Sequence, residues 1–319
     1  MSIEQTPTAV SVADKTPVTE SKKRQKMVSS ENRRLSPGQW IARVGWRHLI
    51  AIIAVIYAAF PLVYVLSASL NPKGNLTGSN KLFTTFSLAN YEALLTNPLR
   101  PYGRWYLNTL FIAGTTAILT VLLGAMAAYA FSRLRFAGRR AGLMSLLLIQ
   151  MFPQLLMVVA IFLLLSALGD VVPSLGIGSA IALILVYLGG ALGTNTYLMY
   201  GFFNTVPMAL DEAAKVDGAS HARIFFTIIL RLVAPILAVV GLLSFVGTFN
   251  EYVVASVVLG NDPKQNTLAI GLFQYVSTEF NSFWQVFAAG AVLASLPVLV
   301  LFLWLQKYIV SGLTVGAVK

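Results

Sequence analysis

Six apolar runs constrain this chain more than any other feature; they lie near residues 48–70, 105–131, 141–168, 179–203, 231–258 and 286–310. Each can cross a hydrocarbon core about 30 Å thick, which takes about 20 helical residues. In lipid only helices and closed barrels satisfy their own backbone hydrogen bonds, and these runs are too long for barrel strands. The predicted fold class is therefore an all-α integral membrane protein with six transmembrane helices. Composition agrees: 57% of the 319 residues are hydrophobic and 11% charged, whereas soluble domains carry about a quarter charged residues. The first run starts late, is long and lacks a small-residue cleavage site, so it reads as a span and not a signal peptide.

Charge sets the expected orientation. Of the 23 Lys and Arg residues, 18 fall before the first run, in the loops 132–140 and 204–231, and at the C-terminal end; the other loops hold five. The positive-inside rule then places both termini and these two loops in the cytoplasm. The net charge of +11 does not point to nucleic acid, because the basic residues sit at membrane edges and not on one amphipathic surface. Residues 1–35 are rich in Ser, Thr, Pro and charge and read as a disordered basic cytoplasmic tail; residues 36–319 form the membrane domain. With no cysteine, disulfides and thiolate metal sites are excluded, and His48 and His221 have no ligand spacing around them.

Shorter signals lie inside this frame. Trp105, Tyr106, Trp284, Trp304 and Tyr308 stand at run ends, where they fit interfacial anchoring. Pro61, Pro153, Pro235 and Pro297 fall within or near the ends of four runs and predict bends. Gly189 and Gly193 form a small-xxx-small pair for close helix approach. "LANYEALL" predicts a short amphipathic helix with Leu88, Tyr91, Leu94 and Leu95 on one face. "NTLAIGLFQYV" is too short to span and reads as a re-entrant or surface segment. Gln150, Gln154, Asn195, Asn250 and Glu251 are polar residues within runs. They either line a pathway or make interhelical hydrogen bonds.

The loop "NTVPMALDEAAKVDGASHARIFFTIILRLVAP", residues 204–235, describes a helix, a turn and a second helix. Pro207 suits a first helical turn. Val206, Leu210, Ala213 and Ala214 recur at helical spacing and predict one docking stripe. Asp211 and Lys215, four apart with the acid first, predict an exposed pair. Gly218 ends the helix where a left-handed residue is needed, and Ser220 can cap the next one. That second helix is expected to run rigidly into the fifth span. So short a helix is marginal alone in water, so it packs on something: the chain's own cytoplasmic ends or another protein.

"EAAKVDGAS…F…I.L" resembles the EAA loop of ABC importer membrane subunits, with Glu212, Ala213, Ala214, Asp217, Gly218 and Ala219 at motif positions. Where that family usually has proline directly after the leucine, Arg231 stands here. "IQMFPQLLMVVAIF", "VYLGG", "TLAIGLFQYV" and the terminal "SGLTVGAVK" extend the likeness from about residue 48 to the end. They resemble the smaller membrane subunit of the maltose/maltodextrin importer. The resemblance implies a type I, MetI-like permease fold in a bacterial inner membrane, with core spans over 105–310, an EAA coupling loop at 204–235 and a C-terminal cytoplasmic tail at 311–319. It implies that the EAA helix docks on an ATP-hydrolysing subunit and that the tail, with Gly312, Leu313 and Thr314, reaches between the ATPases. It also implies that the loop near 264–280, with Gln274 and Tyr275, contacts an extracytoplasmic sugar-binding protein. The expected assembly has a second homologous permease subunit and two ATPases, in the lipid bilayer. In the maltose system the main sugar site lies in the other membrane subunit.

The chain has no phosphate cradle of the G-x-x-x-x-G-K-[ST] type, no metal cluster and no catalytic triad. It is read as a transport subunit without enzymatic activity, binding no cofactor itself, with ATP and Mg on the partner ATPase. The alternative is an ion-coupled secondary sugar transporter, which would be expected to show midplane carboxylates and internal repeats.

Overall fold

The computed structural model describes Gly38 and residues 41–72, 81–260, 262–277 and 283–317. The expected tail at 1–35 lies outside them, as do Val318 and Lys319. Helix α1, Trp46–Ser69, contains Pro61, and its large apolar side chains from Leu49 to Leu62 are exposed. The short helix α2, Ala89–Thr96, follows. The fold is built around α3, Tyr102–Arg133, which packs on α6, Ala180–Phe203, and α9, Ala234–Phe249. Its buried stripe runs through Thr109, Ile112, Ala113, Thr116, Ala117, Thr120, Gly124, Ala125 and Ala128. That is helical spacing with mostly small side chains, which lets backbones approach closely where lipid supplies no hydrophobic drive between helices.

Among the described residues four helices are long and apolar enough to cross a membrane, or up to six spans result if each of two bent helix pairs counts as one. Counted that way, the six expected runs are all helical, two of them broken. The third run is α4, Arg139–Gln150, and α5, Gln154–Val171, divided at Pro153. The fifth is α8, His221–Leu232, and α9, meeting at 80°. The expectation of rigid continuity there is corrected. Pro235 has no N–H to offer the preceding turn, and Val233 leaves the helical region at φ −95°, ψ 7°. The fifth run also stops short of residue 258: α9 ends at Phe249 and a separate α10 covers Val253–Val258.

At the start of α3 sits α11, Leu268–Ser277, the segment too short to span. A side chain at Gly271 would run into the Trp105 ring. The segment leading to α11 is held by side chains of α3. Trp105 Nε1 donates to Pro263 O at 2.6 Å, Asn108 Nδ2 to Lys264 O at 2.9 Å and Asn266 O at 3.1 Å, and Leu268 N donates to Thr109 Oγ1 at 2.7 Å. Trp105 is 0% exposed, so it is a core residue and not an interfacial anchor, whereas Trp304 is exposed as expected. The last helix, α12, Trp284–Ala317, stays one element across Pro297. It packs on α2 and α9, and Tyr102 Oη donates to Gly290 O at 2.8 Å. On α2, Leu94 is buried and Tyr91 half-buried while Leu88 and Leu95 are exposed, so the expected face is only half used. Between α4 and α6 the close approach falls at Gly193, where an added Cβ would lie 2.8 Å from Leu146 O; Gly189 has nothing nearby.

Candidate functional site

The helix read from "MALDEAAKV" is α7, Met208–Val216, between the ends of α6 and α8. Its C-terminus closes as the sequence suggests. Gly218 stands at φ +77°. Ala219 N donates to Ala214 O at 2.9 Å and Gly218 N to Lys215 O at 3.0 Å, the paired bonds of a Schellman cap. Ser220 Oγ then accepts from Arg223 N at 3.3 Å and starts α8. A π-turn over Ile224–Ile229 follows before the elbow at Val233.

The stripe predicted on α7 divides between two faces. Val206 and Ala214 are buried in a cluster with Tyr129 of α3, Met199 and Phe203 of α6, and Ile224 and Phe225 of α8. The Tyr129 and Phe225 rings lie 5.1 Å apart. Leu210 and Ala213 instead face outward with Ala209, Glu212, Asp217 and Gly218, and Val216 is 89% exposed. Ala209, Glu212, Ala213 and Val216 share a face at helical spacing. Ala219 is half-buried against the inner cluster.

Asp211 is also corrected: it is 4% exposed and does not form a surface pair with Lys215. Its carboxylate faces Arg133, in the last turn of α3, with Nε 3.1 Å from Oδ2. Arg133 Nη2 donates to Val206 O at 2.8 Å and Nη1 to Met208 Sδ at 3.1 Å. Sequence reasoning missed Arg133. Arg133 is one of four arginines in the 132–140 segment, and the charge rule had already explained them together.

The pathway candidates separate. Gln150 Nε2 donates to Gly190 O at 2.8 Å and its Oε1 accepts from Thr194 Oγ1, so it joins α4 to α6. Glu251 caps α10, accepting from Val254 N at 2.8 Å and Ala255 N at 2.9 Å, and it receives Tyr187 Oη at 2.6 Å. Both therefore follow the interhelical reading. Asn195 and Asn250 donate to their own helices, at Ala191 O and Val246 O; Asn195 is half-buried and Asn250 exposed. The side chain of Gln154 lies outside the described residues. Of the two expected binding-protein contacts, Tyr275 is buried. Trp105 meets it edge-on at 6.4 Å and Arg100 lies 4.4 Å from its ring centre. Burial raises the pKa of its phenol, with Arg100 acting against that. Gln274 is half-buried. Gly312, Leu313 and Thr314 belong to α12, and their side chains lie outside the described residues.

Helices of membrane-crossing length, with the short two-faced α7 among the helices outside them, define a polytopic membrane protein. Over residues 120–315 the chain matches the family described as binding-protein-dependent transport system inner membrane component, and it belongs to that family. It is 42% identical over 272 residues to the galactooligosaccharides transport system permease protein GanQ of Bacillus subtilis (strain 168), covering 85% of this chain and 93% of that one. It is 37% identical over 295 residues to the maltose/maltodextrin transport system permease protein MalG of Escherichia coli (strain K12), covering 89% and 99%. In fold it is similar to a chain of a bacterial ABC transporter involved in the import of the acidic polysaccharide alginate, with TM-score 0.68, 22% identity and coverage of 87% and 99%. The family is a membrane component of ABC importers and not their nucleotide-binding subunit.

Proposed function

We propose that this chain is a permease subunit of an ATP-driven, binding-protein-dependent oligosaccharide importer, forming half of the pathway beside a homologous second permease. The observation that carries the reading is the division of α7. Its inner face is built into the spans, while Ala209, Ala213 and Val216, with the carboxylate of Glu212, are left on an outer face. Such a face suits close docking, and we assign it to an ATPase subunit. Closure of two ATPases on ATP would displace α7, and rigid-body repacking of the spans would switch the side on which the pathway opens. The permeases for galactooligosaccharides and maltodextrins among the relatives support oligosaccharide as cargo.

The basic segments support cytoplasmic termini and a cytoplasmic α7. An ion-coupled transporter is expected to place its ion and substrate sites at broken helices near the midplane, whereas Glu251 caps α10 and accepts from Tyr187 Oη. Asn250 remains the residue we assign to the pathway lining. Gln274 is kept as the binding-protein contact, and buried Tyr275 is given a supporting role behind it.

Purification from membranes tests the proposal. An ATPase should co-isolate, and its activity should rise when sugar-loaded binding protein is added. Replacing Glu212 and Ala213 together with bulky residues should lower ATPase retention; wild-type yield in that pull-down would refute docking at α7. Uptake of a panel of labelled oligosaccharides, from maltose to galactosides, would identify the cargo.

A further inference from the structure

Resting on the coupling role given to α7, we propose that Arg133 is a positioning residue that fixes α7 to α3, so that a displacement of α7 is passed to the long central helix. One guanidinium reaches three points around the start of α7. They are the Val206 carbonyl just before it, Met208 at its first position and Asp211 in its first turn. A guanidinium is a planar, rigid fork, so its two hydrogen bonds fix angle, while the ion pair with Asp211 adds attraction.

Stability is a poor account of this arrangement. The two side chains are 4% and 6% exposed, and their contact does not meet hydrogen-bond geometry. Neither Asp211 oxygen accepts a hydrogen bond among the described residues. A buried pair regains its desolvation cost only with good geometry and further hydrogen bonds, and an apolar pair of similar volume often holds a fold as well. What an apolar pair lacks is direction. The other inner-face side chains of α7, Val206 before it and Ala214 within it, are apolar surfaces that can slide. Among the described residues, the hydrogen bonds and ion pair joining α3 to α7 and the residue pair before it all pass through Arg133. At its other end α3 is pinned to the 262–268 segment by Trp105, Asn108 and Thr109. Motion imposed at Arg133 is therefore delivered far along the body.

The chain has no cysteine, so a spin-label pair can be placed at Lys215→Cys on α7 and Leu107→Cys near the start of α3 without background. The test uses the complete transporter, with both permeases and the ATPases, nucleotide-free and trapped with ATP and vanadate. With Arg133 and Asp211 intact, the label distance should stay the same in both states, because α7 and α3 move together. With Arg133→Met and Asp211→Leu combined, the transporter should assemble as before and melt close to wild type. The distance should now shift or broaden by about 2 Å or more on trapping, the scale of helix shifts in switching proteins. An unchanged distance in the double variant would overturn the proposal, and so would loss of assembly, which would make the pair a folding element. Failure of the coupling role itself would show elsewhere, as ATPase retention indifferent to bulky residues at Glu212 and Ala213.

Discussion

At its start, α3 grips the 262–268 segment with neutral hydrogen bonds; at its end, it holds α7 through a single charged fork. The ends are separated by 32 residues, about 48 Å of helix at 1.5 Å per residue. At the α11 end the contacts are redundant: three side chains, a ring packed on Gly271, and Arg100 between the Tyr275 and Phe283 rings. At the α7 end, the directional contacts share one side chain, and the outward face of the helix is unpacked. Redundancy makes a fixed anchor. Concentration in one group makes a connection that can be altered at a single position.

Breaking either end should show this asymmetry. Arg133→Gln leaves the Asp211 carboxylate buried without its counter-charge, and removing one member of a buried pair costs about 3–5 kcal/mol. Thermal unfolding of the purified transporter should register that as the largest loss in the set, and Arg133→Met with Asp211→Leu should recover most of it. Gly271→Val forces a side chain into the Trp105 ring and should cost about 1–3 kcal/mol as overpacking. The neighbouring hydrogen bonds should limit the damage, so a larger loss than Arg133→Gln would reverse the comparison. Gly218→Ala places a Cβ at φ +77° and should cost about 1 kcal/mol, with Gly218→Asn closer to wild type. Val216→Glu should leave the stability within about 0.5 kcal/mol of wild type, as a surface change does, yet reduce ATPase retention. Equal retention would mean that the outward face is idle.

The spans were legible because apolar length and composition decide membrane crossing, and the α7 turn because Gly218 and Ser220 are local signals for local geometry. What the sequence concealed was non-local. Asp211 had a nearby lysine to explain it, while its true partner lies in another helix, 78 positions earlier. Trp105 fitted an interfacial aromatic because it opens an apolar run, yet its indole serves Pro263, 158 positions away. The break at Val233 was half visible in Pro235. Continuity seemed natural only because hydropathy does not dip there, and hydropathy carries no information about backbone direction.

The elbow between α8 and α9 has a mechanical meaning. Twelve residues of α8 form an arm about 18 Å long, set at 80° to α9. A push of about 2 Å across the tip of such an arm turns the shaft about its own axis by roughly 6°. An unbroken helix given the same push would only lean. The right-angled joint makes α9 a crankshaft: it can present a different flank to its neighbours while keeping its depth.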